Sequence, residues 1–321
     1  MLKKSLDISV IIITHNEEDY ISSCISSVVD NLSDSDIKYE IFVIDSDSKD
    51  DTINISQSFD INLIKIKDFF SPSLSRYVGF LNSSADSILF LDGDMQLLLS
   101  ASKIKDIISR LRNGVGGIQG YLVDHDIDGN KNLINKVDKE KSVSFLPGCA
   151  FYSRKALESE NFNPHLSSNE ERDLGYRLRH KGFDLLRLPF PMANHFRKFS
   201  LNTFEEYYRR FNSNFFRGSG QIFRVQKNLG PFLKHLFYLK IEFIFLFSLI
   251  SMFFALFLDF FDYFLIMVIS HVFLCLYYIL AYNNPSRYLN KLLISWGIIT
   301  GFLFHRSHKI EYVNINNSIA K

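Results

Sequence analysis

Two apolar blocks late in the chain, Phe237 to Leu258 and Phe260 to Tyr282, constrain the fold more than any other feature. Each approaches the roughly 20 residues that cross a bilayer's hydrocarbon core, and neither leaves a polar face for water. Asp259 and Asp262 mark the turn between them. Lys234 and Lys240 precede the pair and Arg287 and Lys291 follow it, so the positive-inside rule makes a hairpin with both ends cytoplasmic. The alternative is a buried hairpin of a water-soluble helical domain. A third apolar run, Leu292 to Phe304, is short for a span and is expected to be interfacial or re-entrant.

Charge follows the same division. The formal net charge of +1 hides a basic segment in which Arg197, Lys198, Arg209, Arg210, Arg217, Arg224, Lys227, Lys234 and Lys240 face only Glu205 and Glu206. Basic residues leading into an apolar block suit the cytoplasmic side and its anionic headgroups, and no recognition motif accompanies them that would suit nucleic acid. Cys24, Cys149 and Cys275 are scattered and odd in number, which gives neither a disulfide framework nor metal-ligand spacing. The expected organisation is an N-terminal domain over 1–200, a basic juxtamembrane segment over 201–236, two transmembrane helices over 237–282 and a tail over 283–321. The expected location is the inner (cytoplasmic) membrane, with the first domain in the cytoplasm.

That first domain reads as α/β. "ISVIII" (Ile8 to Ile13), "EIFVID" (Glu40 to Asp45) and "SILFLD" (Ser87 to Asp92) are short continuous apolar runs, the pattern of strands buried on both faces. Helical patterns lie between them, over Asp19 to Val29 and from Asp50. Alternation of this kind predicts a mostly parallel sheet, and ligands of such sheets collect at the carboxyl ends of strands. Those ends carry Thr14-His15-Asn16-Glu17, Asp45-Ser46-Asp47-Ser48 and Asp92-Gly93-Asp94. Two carboxylates around one glycine can turn toward a hard divalent cation, although Asp-Gly is also a common tight-turn pair.

The stretches "ISVIIITHNEEDYISSCISSV", "FVIDSDSKDDT", "SLSRYVGFLNSSADSILFLDGDM", "FLPGCAFYSRKAL" and "SNEERDLGYRLRHKGFDL" resemble, in order and spacing, family 2 glycosyltransferases of the GT-A fold. The resemblance covers about the first two thirds of the chain, and membrane hairpins after the catalytic domain are familiar in that group. It implies an inverting hexosyltransferase that takes a sugar from a UDP- or GDP-linked donor with Mg²⁺ or Mn²⁺. The acceptor expected from the location is a lipid-linked or other glycan in cell-envelope polysaccharide or glycoconjugate synthesis. A polyprenyl-phosphate acceptor, or a catalytically inactive membrane-anchored nucleotide-binding protein, remains an alternative.

Carried over by position, the resemblance puts Thr14, His15 and Glu17 beside the nucleotide and Asp45 at the base edge. Asp47 stands where the family has a glycine. Arg76 matches an arginine before the donor-site helix that can pair with phosphate oxygens. Asp92 and Asp94 match the metal motif, with Asp94 the direct ligand and His195 a further candidate. Gly148 opens the acceptor-side loop. The helix expected from Asp173 to Gly182 has Glu170 and Glu171 before it, where the family places its general base; Glu171 is the positional match and Glu170 its neighbour. "YYRRF" (Tyr207 to Phe211) lacks the Gln and Trp of the processive synthases, which points to single-sugar addition.

Overall fold

The computed structural model describes residues 6–67, 70–198, 203–258, 260–282 and 286–315 of the 321-residue chain. The chain divides into two compact units, residues 1–199 with 307–321, and residues 200–306.

The first unit is built on one sheet. In chain order it runs β1 (Ile8–Thr14), α1 (Ile21–Leu32), β2 (Tyr39–Asp45), α2 (Thr52–Gln57), β3 (Asn62–Lys67), α3 (Pro72–Asn82), β4 (Ser87–Asp92), β5 (Met95–Leu97) and α4 (Ala101–Arg112). It continues with β6 (Gly117–His125), β7 (Lys131–Ile134), β8 (Lys141–Ser142), β9 (Ala150–Ser153), α5 (Arg154–Ser159), α6 (Glu170–His180), β10 (Leu185–Phe196) and β11 (Glu311–Asn314). The order across the sheet is β11-β3-β2-β1-β4-β9-β6-β10-β5, with β7 on β6 and β8 on β10.

The three apolar runs form strands because both of their faces are covered. Along β1, Ile8, Val10 and Ile12 enter one core while Ile11 and Ile13 enter the other. Strand alternation sends neighbours to opposite faces, so an unbroken apolar run needs helices on both sides. In α3, Pro72 opens the first turn and the Ser71 hydroxyl accepts the Leu74 amide at 3.1 Å, which fixes where the helix starts.

The sheet is mixed, which corrects the expectation of a mostly parallel one. Among the described residues only β1–β2, β1–β4, β2–β3 and β6–β10 pair in parallel; β9 lies antiparallel to both β4 and β6. The unbroken parallel run β3-β2-β1-β4 ends where the alternating strand and helix pattern ends. A second difference concerns the tail: Glu311–Asn314 adds an antiparallel edge to β3 and so belongs to this sheet.

The second unit is helical: α7 (Phe204–Asn212), α8 (Gly218–Val225), α9 (Leu229–Tyr238), α10 (Lys240–Phe257), α11 (Phe261–Tyr282) and α12 (Ser286–Leu303). Among the described residues α10 is the helix long and apolar enough to cross a membrane by length and composition. It starts at Lys240, so Phe237 and Tyr238 close α9 rather than open the span. Asp259, expected in the turn, lies outside the described residues; Asp262 is in the first turn of α11. The run Leu292 to Phe304 falls largely within α12.

Candidate active site

The parallel strands β1, β2 and β4 deliver their carboxyl ends to one edge, and the loops leaving them are tied together. The Asn16 amide donates to Ser48 Oγ at 2.9 Å, the Lys49 amide to Asn16 Oδ1 at 2.8 Å and the Glu17 amide to Thr52 Oγ1 at 2.7 Å. His15 Nδ1 donates to the Ser46 carbonyl at 2.7 Å. Asn16 and Asp47 both hold left-handed backbone, at φ 57° and 59°. That conformation explains why a glycine would suit position 47 and why Asp, which tolerates it, can replace one. Asp45 is fully buried and spends both carboxylate oxygens on the Ser48 amide and hydroxyl, so it braces its own loop. Burial raises its pKa against those Ser48 bonds.

Asp92 and Asp94 leave β4 around Gly93, and that glycine is required. A Cβ there would lie 2.9 Å from Thr14 Oγ1 and 3.3 Å from Glu17 Cγ, so a side chain would strike the loop after β1. The two carboxylates then diverge. Asp92 accepts from Arg76 Nη2 at 2.8 Å, whereas Asp94 Oδ2 lies 3.3 Å from His195 Nε2. The Oδ1 of Asp94 is buried without a hydrogen-bond partner, as is Thr14 Oγ1.

Arg76 departs most from its sequence reading. It is 2% exposed, and its Nη1 pairs with Glu170 at 2.6 Å while Nη2 serves Asp92 and lies 3.5 Å from Glu171. Burial alone would discharge it, but the charges of Asp92, Glu171 and Glu170 outweigh burial and raise its pKa. It is therefore the counter-ion of a carboxylate cluster and does not present its guanidinium to open space. One guanidinium cannot neutralise three carboxylates. Glu170, buried and next to Glu171, is accordingly pushed up to about 8 despite its bond to Arg76.

The two glutamates are now distinguishable. Helix α6 starts at Glu170, three residues before the expected start, after Asn169 in left-handed conformation at φ 62°. Glu170 points into the Arg76 cluster with its side chain 5% exposed, while Glu171 keeps 20% exposure and accepts the Gly148 amide at 3.2 Å. Gly148 itself has φ 67°. Gln119 holds this loop by donating to the carbonyls on both sides of that glycine, Pro147 and, at 2.9 Å, Cys149.

Three contributors were not legible beforehand. Asp124, at the end of β6, accepts from His195 Nδ1 and from Arg197 Nε, both at 2.6 Å. Burial would lower the His195 pKa, but Asp94 and Asp124 outweigh it and hold it at about 9. Lys198 Nζ donates to the Asn16 carbonyl at 2.5 Å and sits 3.2 Å from Glu17 Oε2. Burial, then Asp94, pushes Glu17 up to about 7 against that lysine. Gln119 carried no motif at all.

The donor set fits a hard divalent cation in part. Asp94 offers an orphaned carboxylate oxygen, and His195, protonated while its pKa stands at about 9, offers an imidazole nitrogen once an arriving cation displaces the proton on Nε2. Asp92 is largely committed to Arg76, and among the described residues no cluster of three or more His, Cys, Asp or Glu is arranged to hold a metal alone. A cation at this place would share its shell with substrate oxygens, which is how Mg²⁺ is commonly bound.

Residues 9–160, a little under half of the chain, match the family model described as Glycosyl transferase family 2. The crystal structure of S. aureus TarS 1-349 in complex with UDP is similar at TM-score 0.50, with 17% identity over 72% of this chain and 72% of that one. The crystal structure of GalNAc-T7 with UDP, GalNAc and Mn²⁺ is similar at TM-score 0.50, with 14% identity over 61% of this chain and 44% of that one. At such identities these two show the fold. No curated protein matches the chain.

Proposed function

We propose that this chain, a glycosyltransferase through the family 2 domain at residues 9–160, moves a hexose with inversion from a UDP- or GDP-linked donor to a glycan or lipid-linked acceptor at a cytoplasmic membrane face. The observation that carries the reading is the approach of Asp94, His195 and Glu171 to one sheet edge, with Glu171 partly exposed and aimed by Gly148. The similar TarS and GalNAc-T7 structures both contain UDP, which supports a uridine donor. The apolar surface of α10, on which Phe247, Phe253 and Phe257 are exposed, supports a membrane setting.

The chemistry is a single displacement. The Glu171 carboxylate takes the proton of the acceptor hydroxyl as its oxygen attacks the anomeric carbon; the bond from that carbon to the donor's diphosphate breaks, and the electron pair leaves with the nucleoside diphosphate. Asp94 and His195 would hold a divalent cation, which supplies positive charge to the departing diphosphate. Arg76 keeps Glu170 and Asp92 in place, and the Gly148 amide fixes the Glu171 carboxylate.

Replacing Glu171 by Gln keeps size and removes basicity, so sugar-dependent release of nucleoside diphosphate should fall about 10²- to 10⁴-fold with little change in donor affinity. A polyprenyl phosphate acceptor is already anionic and needs no base. A normal rate in Glu171→Gln with such an acceptor would therefore select that alternative, and a normal rate with hydroxyl acceptors would remove the mechanism.

A further inference from the structure

Among the described residues, three basic side chains at the strand ends are each held by a buried or partly buried carboxylate. Arg76 belongs to Glu170 and Asp92, Arg197 to Asp124, and His195 lies between Asp94 and Asp124. Lys198 differs: a quarter of its side chain is exposed, and its ammonium rests on the Asn16 carbonyl, 3.2 Å from Glu17 and 3.9 Å from Asp19. The ammonium also lies 5.7 Å from the Tyr20 ring centre.

Its place is fixed from two sides. Phe196, two residues earlier, stacks on Tyr20 at 5.4 Å with the rings 8° apart, which docks the end of β10 on the loop after β1. Glu17 in turn packs beside Gly93, since a Cβ there would come 3.3 Å from Glu17 Cγ. The ammonium therefore stands one side chain away from the Asp92-Gly93-Asp94 turn.

Among the described residues of this edge, acidic side chains outnumber basic ones. Glu17, Asp92, Asp94, Asp124, Glu170 and Glu171 face Arg76, His195, Arg197 and Lys198. A nucleoside diphosphate brings further negative charge, and more develops as the sugar leaves. A lysine ammonium is a compact point charge on a flexible stem, suited to following phosphate oxygens.

We propose that Lys198 is the side chain that meets the donor's diphosphate, exchanging its contact with Glu17 for phosphate oxygens. This takes from Arg76 the phosphate-pairing role that its position in the sequence suggested. It rests on the transferase reading above, and the test separates the two.

Calorimetry on the full chain in detergent, with Mg²⁺, would compare UDP, UMP and uridine, and the corresponding guanosine series, on wild type, Lys198→Met and Lys198→Arg. Lys198→Met should weaken nucleoside diphosphate binding about 10- to 100-fold, the range for a lost hydrogen bond to a charged group. It should leave nucleoside binding unchanged, and Lys198→Arg should recover most of the loss. Equal losses for nucleoside and diphosphate would make Lys198 a mere tether of the loop after β1 and overturn the proposal. A Lys198→Met affinity within twofold of wild type would overturn it as well. If wild type itself binds neither UDP nor GDP, the transferase reading fails, and the proposal with it.

Discussion

The two units differ both in how they bury charge and in how they treat apolar surface. In the unit of residues 1–199 and 307–321, Ile8, Val10, Ile12, Phe90 and Leu91 are sealed between sheet and helices. In the unit of residues 200–306, Phe247, Phe253, Phe257 and Phe273 lie 66% or more exposed, while the buried side chains include Glu242, Ser295 and His271. Each of those polar groups meets complementary partners within the same unit. Lys291 Nζ pairs with Glu242 at 2.5 Å, and His271 bridges Ser248 at 2.7 Å and Tyr288 at 2.8 Å. In the first unit a single guanidinium serves three carboxylates. A balanced pair is what structure alone requires, whereas an acidic excess at a strand end has a use only if something positive arrives. The contrast separates a scaffold from a site.

The strongest way to break this contrast is to remove Arg76. Arg76→Met leaves Asp92, Glu170 and Glu171 facing one another without their cation, and loss of one partner from a buried ionic cluster costs about 3–5 kcal/mol. Hydrogen exchange followed by mass spectrometry should show β1 and β4 losing protection. Protection within about 1 kcal/mol of wild type would mean that the acids tolerate one another, and the cluster would no longer mark a site.

Lys291→Met should cost less, about 1–3 kcal/mol, because Lys291 keeps some solvent contact. The chain has one tryptophan, Trp296 in α12, so its fluorescence during urea unfolding in detergent reports on the second unit. The double variant Glu242→Met with Lys291→Met should recover most of the loss, since a balanced pair can be replaced by apolar side chains. Failure to recover would give the pair a role beyond holding α10 to α12.

Exposed phenylalanines sharpen the other half of the contrast. Phe253, 66% exposed, should cost less than about 1 kcal/mol of stability in detergent when replaced by Ser, whereas Phe90→Ala, in the sealed core, should cost about 3–5 kcal/mol. Partition into lipid vesicles should fall for Phe253→Ser and not for Phe90→Ala. Equal partition for both would argue against lipid contact on that face of α10.

How far the sequence could be read follows from where periodicity was strong. The runs at Ile8, Ile41 and Ile88 became β1, β2 and β4, since continuous apolar segments between helical patterns have few other packings. Strands β6 and β10 were missed because Gly117, Gly120, Pro189 and Pro191 look like turn signals. In the fold, the Gly120 position abuts the Phe190 carbonyl, where no Cβ would fit, and the pairing shifts register around Pro191. The strand-end acids were legible as a group. Their partners were not, because Arg76 meets Glu170 across 94 positions and His195 meets Asp124 across 71, and nothing local records such pairings.

The smallest effect belongs to Asp47, an ion-paired side chain on the wet rim of the first unit. It pairs with Lys49 and, at 2.8 Å, with Lys65 of β3, while its backbone sits at φ 59°. The Lys49 hydrogen bond, then that of Lys65, holds its carboxyl down at about 2. A depressed carboxyl adds stability above its unfolded pKa, and that increment is lost as pH falls from about 4 through 2. Solvent screens such pairs, so the increment should stay below about 1 kcal/mol. Asp47→Gly removes the pairs, relieves a left-handed residue and loosens the unfolded chain, three effects of similar size and mixed sign. At neutral pH the variant should therefore unfold within about 1 kcal/mol of wild type, and it should gain on wild type between pH 4 and 3 as the carboxyl of the unfolded wild-type chain takes up a proton. Hydrogen exchange at β2 and β3, read at both pH values, checks this. A neutral-pH loss above about 2 kcal/mol would show that Asp47 behaves like the buried charges of the Arg76 cluster, and the division between rim and core within this unit would have to be redrawn.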